Sequence, residues 1–201
     1  MGSSFVAMKK ILTCSLLLTA VLSISAQHVE LTKENTFLTL GKDHVRLNAE
    51  LTYKNNSGQT VNQMIFFPLC VRNDELKRDT FAIFDMTANA PITSYKKQPA
   101  GIFYMLNFQP NQQRKIRITC GDDHNGSMIK YLVMTNINFW GLPLDQGDYT
   151  LKYDNKMITI DSTSFKPDQQ TTNDAGESLL IWKKTNWKPD KELEVYFKMV
   201  K

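Results

Sequence analysis

From His44 to Lys54 the chain alternates without a break. Val45, Leu47, Ala49, Leu51 and Tyr53 are apolar, while Arg46, Asn48, Glu50, Thr52 and Lys54 are polar. Successive side chains of a strand point to opposite faces, so a period of two sustained this long excludes a helix and demands a strand with one buried and one wet face. Asn55-Asn56-Ser57-Gly58 follows and reads as a turn, because Asn and Gly tolerate positive φ. Thr60 to Phe67 then returns as a second strand, which Pro68 ends by removing a ladder donor.

The same logic places further strands at Phe81–Met86, Gly101–Phe108, Arg114–Cys120, Ile129–Thr135, Tyr149–Tyr153, Met157–Asp161, Leu179–Lys183 and Leu193–Met199. Turn residues separate them at Gln109-Pro110-Asn111, Gly121-Asp122-Asp123, Asp145-Gln146-Gly147 and Asp154-Asn155-Lys156. Residues 163–177 read as an exposed loop, and Asp74 to Arg78 is the one stretch with room for a helical turn. Short strands at this spacing predict an all-β fold, an antiparallel β-sandwich of about 8–11 strands, immunoglobulin-like or saddle-like.

Residues 1–26 stand apart. Lys9 and Lys10 precede an apolar run from Ile11 to Leu22, and a cut between Ala26 and Gln27 suits a signal peptidase. The run is shorter than the roughly 20 apolar residues a membrane span needs, and no later stretch reaches that length. The expectation is a leader and signal peptide over 1–26 and one β-sandwich domain over 27–201, periplasmic or secreted. Losing Lys9 and Lys10 lowers the net charge from +4 to +2. That balance makes no electrostatic case for nucleic acid. Cys70 and Cys120 remain, and an oxidising compartment permits either a disulfide between them or two separate buried thiols.

Signatures of catalysis are missing. The sequence has no HExxH, no GxSxG elbow and no glycine-rich phosphate loop. No cofactor is expected and no enzyme. Asp122, Asp123 and His124 form the best candidate for a hard cation, since such ions want several oxygens on a tight turn, but the register and terminal Glu of a calcium loop are absent. Trp187, Trp140 and Trp182 are the candidate ligand-binding residues. An exposed indole offers a sugar ring a flat apolar face with a polar edge. Trp182 lies in an apolar strand and reads as core, whereas Trp187, between Asn186 and Lys188, reads as the more exposed.

Leu47 to Pro68, with Leu51-Thr52-Tyr53-Lys54-Asn55-Asn56-Ser57 and Ile65-Phe66-Phe67-Pro68, is similar to the first hairpin of the saddle-like, non-catalytic N-terminal β domains of zinc aminopeptidases. It also resembles bacterial secreted β-sandwich domains of uncharacterised function, as do Trp140-Gly141-Leu142-Pro143 and Lys188 to Val195. The resemblance implies an extracytoplasmic β-sandwich. It does not carry over catalysis, because the helix with two zinc-binding histidines has no counterpart here.

The expected function is therefore a non-enzymatic exported domain that binds a protein or a glycan of the cell envelope. Loops 69–79 and 163–177 are the candidate contact surface, and a carbohydrate-binding module is the rival. Three features separate the classes. Exposed indoles on a flat face favour sugar. A bare apolar patch or an unpaired edge strand favours a protein. A cleft with converging carboxylates favours an enzyme.

Overall fold

A computed structural model describes residues 28–68, 80–98, 101–123, 126–134 and 142–200. In chain order the strands are β1 (Val29–Leu40), β2 (His44–Asn55), β3 (Val61–Pro68), β4 (Thr80–Asp85), β5 (Ala90–Pro91), β6 (Tyr95–Gln98) and β7 (Gly101–Phe108). They continue with β8 (Gln113–Asp123), β9 (Met128–Tyr131), β10 (Leu144–Asp154), β11 (Ile158–Thr163), β12 (Gln169–Thr172), β13 (Glu177–Trp187) and β14 (Leu193–Met199). Eight of them form one sheet in the order β12-β13-β10-β1-β2-β8-β4-β5. Every pairing in it is antiparallel except β1 with β10. Two three-stranded sheets, β11-β14-β9 and β3-β7-β6, share one continuous hydrophobic core with it. The fold is all-β and sandwich-like, as the alternation requires.

β2 behaves as its sequence dictates. Val45, Leu47, Ala49, Leu51 and Tyr53 are buried, and the intervening side chains are exposed or half-buried. On the wet face, Glu50 pairs with Lys115 at 2.5 Å and Arg117 at 3.0 Å, both from the neighbouring β8.

The segment after β2 is not a hairpin turn. β2 pairs with β1 and β8, and β3 pairs with β7, so residues 56–60 carry the chain from one sheet to another. Residues 109–112 make the matching crossing from β7 to β8. Buried Asn55 joins the two: its amide nitrogen donates to the Gln59 carbonyl at 2.8 Å and the Gln109 carbonyl at 2.9 Å. Its amide oxygen accepts from the Ser57 N–H at 2.9 Å and the Ser57 hydroxyl at 2.8 Å. Asn55, Asn56 and Gly58 do not use positive φ; among the nearby residues only Asn111 does. The Asn side chain shapes this corner through hydrogen bonds, by the mechanism of an Asx turn.

Four strands were hidden in the sequence. β1 is central and among the longest, yet its inward positions include Thr32, Glu34 and Thr36, and a register shift between Leu31 and Lys33 breaks the phase. β5 and β6 are two and four residues long. β12 lies inside the stretch 163–177 that reads as loop; its residues are exposed, as that reading implies, but they pair with β13. Asp145-Gln146-Gly147 and Gly121-Asp122-Asp123 read as turns and are strand instead, within β10 and β8. Both triplets have a strand partner alongside, Lys33–Glu34 for the first and His44–Arg46 for the second, and ladder pairing overrides local turn preference. The stretch 69–79, with its possible helical turn, lies outside the described residues.

Candidate functional site

A buried polar cluster lies in the core. Glu34 on β1 is 5% exposed. Tyr149 donates its hydroxyl to Glu34 Oε2 at 3.0 Å, Tyr131 donates to Oε1, and the Thr36 hydroxyl reaches Oε1 at 3.3 Å. Gly147 is the register partner of Glu34 on β10. A Cβ there would stand 2.9 Å from the Tyr149 ring and 3.0 Å from its hydroxyl, so the missing side chain makes the room in which Tyr149 reaches the carboxyl. Burial pushes the Glu34 carboxyl above its ordinary pKa, and the hydroxyl donors offset only part of that. The same burial, with the carboxyl alongside, holds the Tyr149 phenol far above its usual range. The cluster ties β1, β10 and β9 together at a buried position.

The residues singled out from sequence fall in different places. Trp182 is 1% exposed and its Nε1 donates to the Phe165 carbonyl at 2.9 Å, so its indole face is unavailable for stacking a sugar. Trp187 is half-buried rather than exposed: it meets Tyr149 and Phe165 edge-on, with ring centroids 5.5 and 5.4 Å apart. Trp140 lies outside the described residues. So do Cys70 and His124. Cys120 packs half-buried against the core from β8, opposite Leu47 and Phe81. Asp122 and Asp123 end β8, opposite Val45 and His44. Among the described residues no group of three His, Cys, Asp or Glu side chains is placed to hold a metal ion. No helix among them is long and apolar enough to cross a membrane.

A different surface emerges on the outer face of the β3-β7-β6 sheet. Ile65, Phe67, Ile102, Tyr104, Leu106 and Phe108 point into the core. Met64 and Met105 point away from it, directly opposite one another in the ladder, 57% and 54% exposed. Phe66 and Phe103 are the next opposed pair on that face, with ring centroids 4.8 Å apart. The Asn62–Asn107 side-chain hydrogen bond at 2.8 Å closes one end, and Lys96 flanks Phe103 from β6. The signal was present in the sequence. Gly101-Ile102-Phe103-Tyr104-Met105-Leu106 is apolar at consecutive positions. An antiparallel strand with a solvated face alternates instead.

No protein-family model and no curated protein matches the sequence. Solved structures match in fold. A candidate nutrient binding protein from Legionella pneumophila superposes with a TM-score of 0.68 at 10% identity, over 86% of this chain and 67% of that one. An M1 zinc metallopeptidase from Deinococcus radiodurans superposes with a TM-score of 0.50 at 11% identity, over 85% of this chain. This chain spans only 42% of the metallopeptidase. The resemblance to the β domain of zinc aminopeptidases thus holds at the level of fold, and at that identity fold is all it conveys.

Proposed function

We propose that this chain is a non-enzymatic, exported β-sandwich domain that binds a partner protein through the outer face of the β3-β7-β6 sheet. One observation carries the reading: Met64 and Met105, opposed and more than half exposed, stand beside the Phe66–Phe103 pair. Unbranched thioethers beside aromatic rings make an adaptable apolar surface, and a contiguous apolar patch on a soluble protein marks an interaction site. Export is supported by the Lys-Lys-apolar leader of residues 8–26. The fold neighbours, one of them named for binding, are compatible with a binding domain. The sugar reading has less support, because Trp182 is buried and Trp187 is half-buried against Tyr149 and Phe165. The non-enzymatic reading is supported by the lack of an HExxH, a GxSxG elbow or a glycine-rich phosphate loop in the sequence.

The test is the apparent mass of the full chain extracted from its own cell envelope. The wild type elutes in an assembly larger than the monomer, and Met64→Asp with Met105→Asp elutes as the monomer. Equal elution of the two proteins would sink the reading.

A further inference from the structure

A sheet edge is a row of unpaired N–H and C=O groups, and proteins blunt such edges with lysine, proline, bulges or brevity. The edges among the described strands here mostly follow that rule. β5 has two residues, one of them Pro91. β6 carries Lys96 and Lys97, β9 carries Lys130, and β3 ends in Pro68. β11 is broken by a register shift between Ile160 and Ser162. β12 is blunted only by its length of four residues. Gln169-Gln170-Thr171-Thr172 holds no lysine and no proline, and its register against β13 runs unbroken from Gln169↔Ile181 to Thr172↔Ser178.

This edge borders a groove. An open cavity of about 350 Å³ separates β12 from β11, floored by Ile158, Ile160 and Leu180 and walled by Gln170, Thr172 and Ser162 among other hydroxyl and amide side chains. No side chain lining it is charged. The phase of the ladder fixes which backbone groups are free. Asn173 N–H donates to the Glu177 carbonyl at 3.0 Å. Antiparallel pairing alternates, so Asn173, Thr171 and Gln169 face β13, while the N–H and C=O of Gln170 and Thr172 point to the open edge.

We infer that β12 and the groove beside it accept an extended, uncharged peptide segment of a partner as an added strand. The backbone of the segment pairs with Gln170 and Thr172. Its alternate side chains enter the groove beside Gln170, Thr172 and half-buried Ile160, which suits small or uncharged residues at every second position. A charged residue at those positions would lose hydration without finding a counter-charge. This site shares no residue with the Met64–Met105 face, so either can fail while the other stands.

The probe is a library of capped, dye-labelled peptides of about eight residues, alternating Val, Ile or Leu with Ser, Thr or Gln, titrated against the full chain. Gln170→Pro removes an outward N–H and leaves the β13-facing bonds in place. Gln170→Lys keeps the backbone and puts a charge in the groove. Thermal melting establishes that each variant is folded. Library members bind the wild type, slow amide exchange at Gln170 and Thr172, and bind both variants about tenfold more weakly. Met64→Asp with Met105→Asp binds them as the wild type does. Three outcomes overturn the inference: no member binds, exchange at the two amides is unchanged by a bound peptide, or the variants bind undiminished. A concentration-dependent dimer that Gln170→Lys abolishes also overturns it, by assigning the edge to a second copy of the chain.

Discussion

Tyr149 on β10 donates its hydroxyl to Glu34 on the neighbouring β1 at 3.0 Å, at the heart of the sandwich. Tyr131, from the facing β9, donates to the other carboxyl oxygen. The contributors to the Glu34 shift are burial and hydroxyl hydrogen bonds alone, with no cation among them, and burial wins.

That imbalance makes stability depend on pH in a defined direction. The folded Glu34 binds its proton more tightly than the unfolded chain does, so its contribution is full below the unfolded pKa, about 4.3. It is lost as pH rises from there through the higher folded pKa. Carboxylates paired with lysines, such as half-buried Glu50 and exposed Asp168, are shifted downward and act in the opposite sense at lower pH. Urea unfolding of Glu34→Gln, repeated from about pH 4 to 8, should therefore lack a decline that the wild type shows above the unfolded pKa. Gln keeps an acceptor for Tyr149 and cannot ionise. Parallel curves for the two proteins would contradict the account.

Gly147 should tolerate no side chain. An alanine Cβ would sit within 3.0 Å of Leu144 and of the Tyr149 ring and hydroxyl. Gly147→Ala is expected to cost about 1–3 kcal/mol in denaturant unfolding. The cost should shrink in a Tyr149→Phe background, because the two positions share one space and their effects do not add. Full additivity would show that the Tyr149 hydroxyl is not what excludes the methyl.

Asn55 fastens both crossings between sheets. Asn55→Ala removes four hydrogen bonds at a fully buried position, leaving the Gln59 carbonyl only the Ser57 hydroxyl and the Gln109 carbonyl only the Gln112 N–H. The expected loss is about 2–4 kcal/mol by equilibrium unfolding. Asn55→Asp should lose almost as much, since it keeps the acceptor for Ser57 and forfeits both donors. A loss under about 1 kcal/mol for Ala would mean that water replaces the side chain there.

Trp187→Ala should act on stability. The indole packs edge-on between Tyr149 and Phe165, and its removal opens a space beside the Glu34 cluster. The expected cost is about 2 kcal/mol, less than for a fully buried Trp because the ring is half-buried. Affinity electrophoresis against a polysaccharide panel should show no difference between this variant and the wild type. Retardation present in the wild type and lost in Trp187→Ala would reinstate a sugar site.

How much the sequence reveals depends on what fills the inward positions. β2 is legible end to end because its buried row, Val45 to Tyr53, is wholly apolar. β1 is equally buried yet illegible: Glu34 and Thr36 occupy core positions, and only the hydroxyls of Tyr131 and Tyr149, about 100 residues away, make them acceptable there. No local pattern contains that information. Gly147 misleads for a related reason, since a residue type favoured in turns is required within β10 by the Tyr149 ring. The corner at Asn55 was visible as a chain reversal, but whether β3 pairs with β2 or departs to another sheet is decided by β7, more than 30 residues downstream. The candidate face had a signal in Phe103 and Met105, outward positions that polar residues usually take, and alternation weighted by its inward partners conceals it.

The central claim concerns the Met64–Met105 face. The most direct measurement places a photo-crosslinking amino acid at position 64 in the full chain, in the native cell envelope, and compares it with the same group at Asn48 on the wet face of β2. The account predicts one discrete protein adduct from position 64, none from position 48, and loss of the adduct when Met105→Asp is added. Adducts of equal intensity from both positions, or none from either, would contradict it.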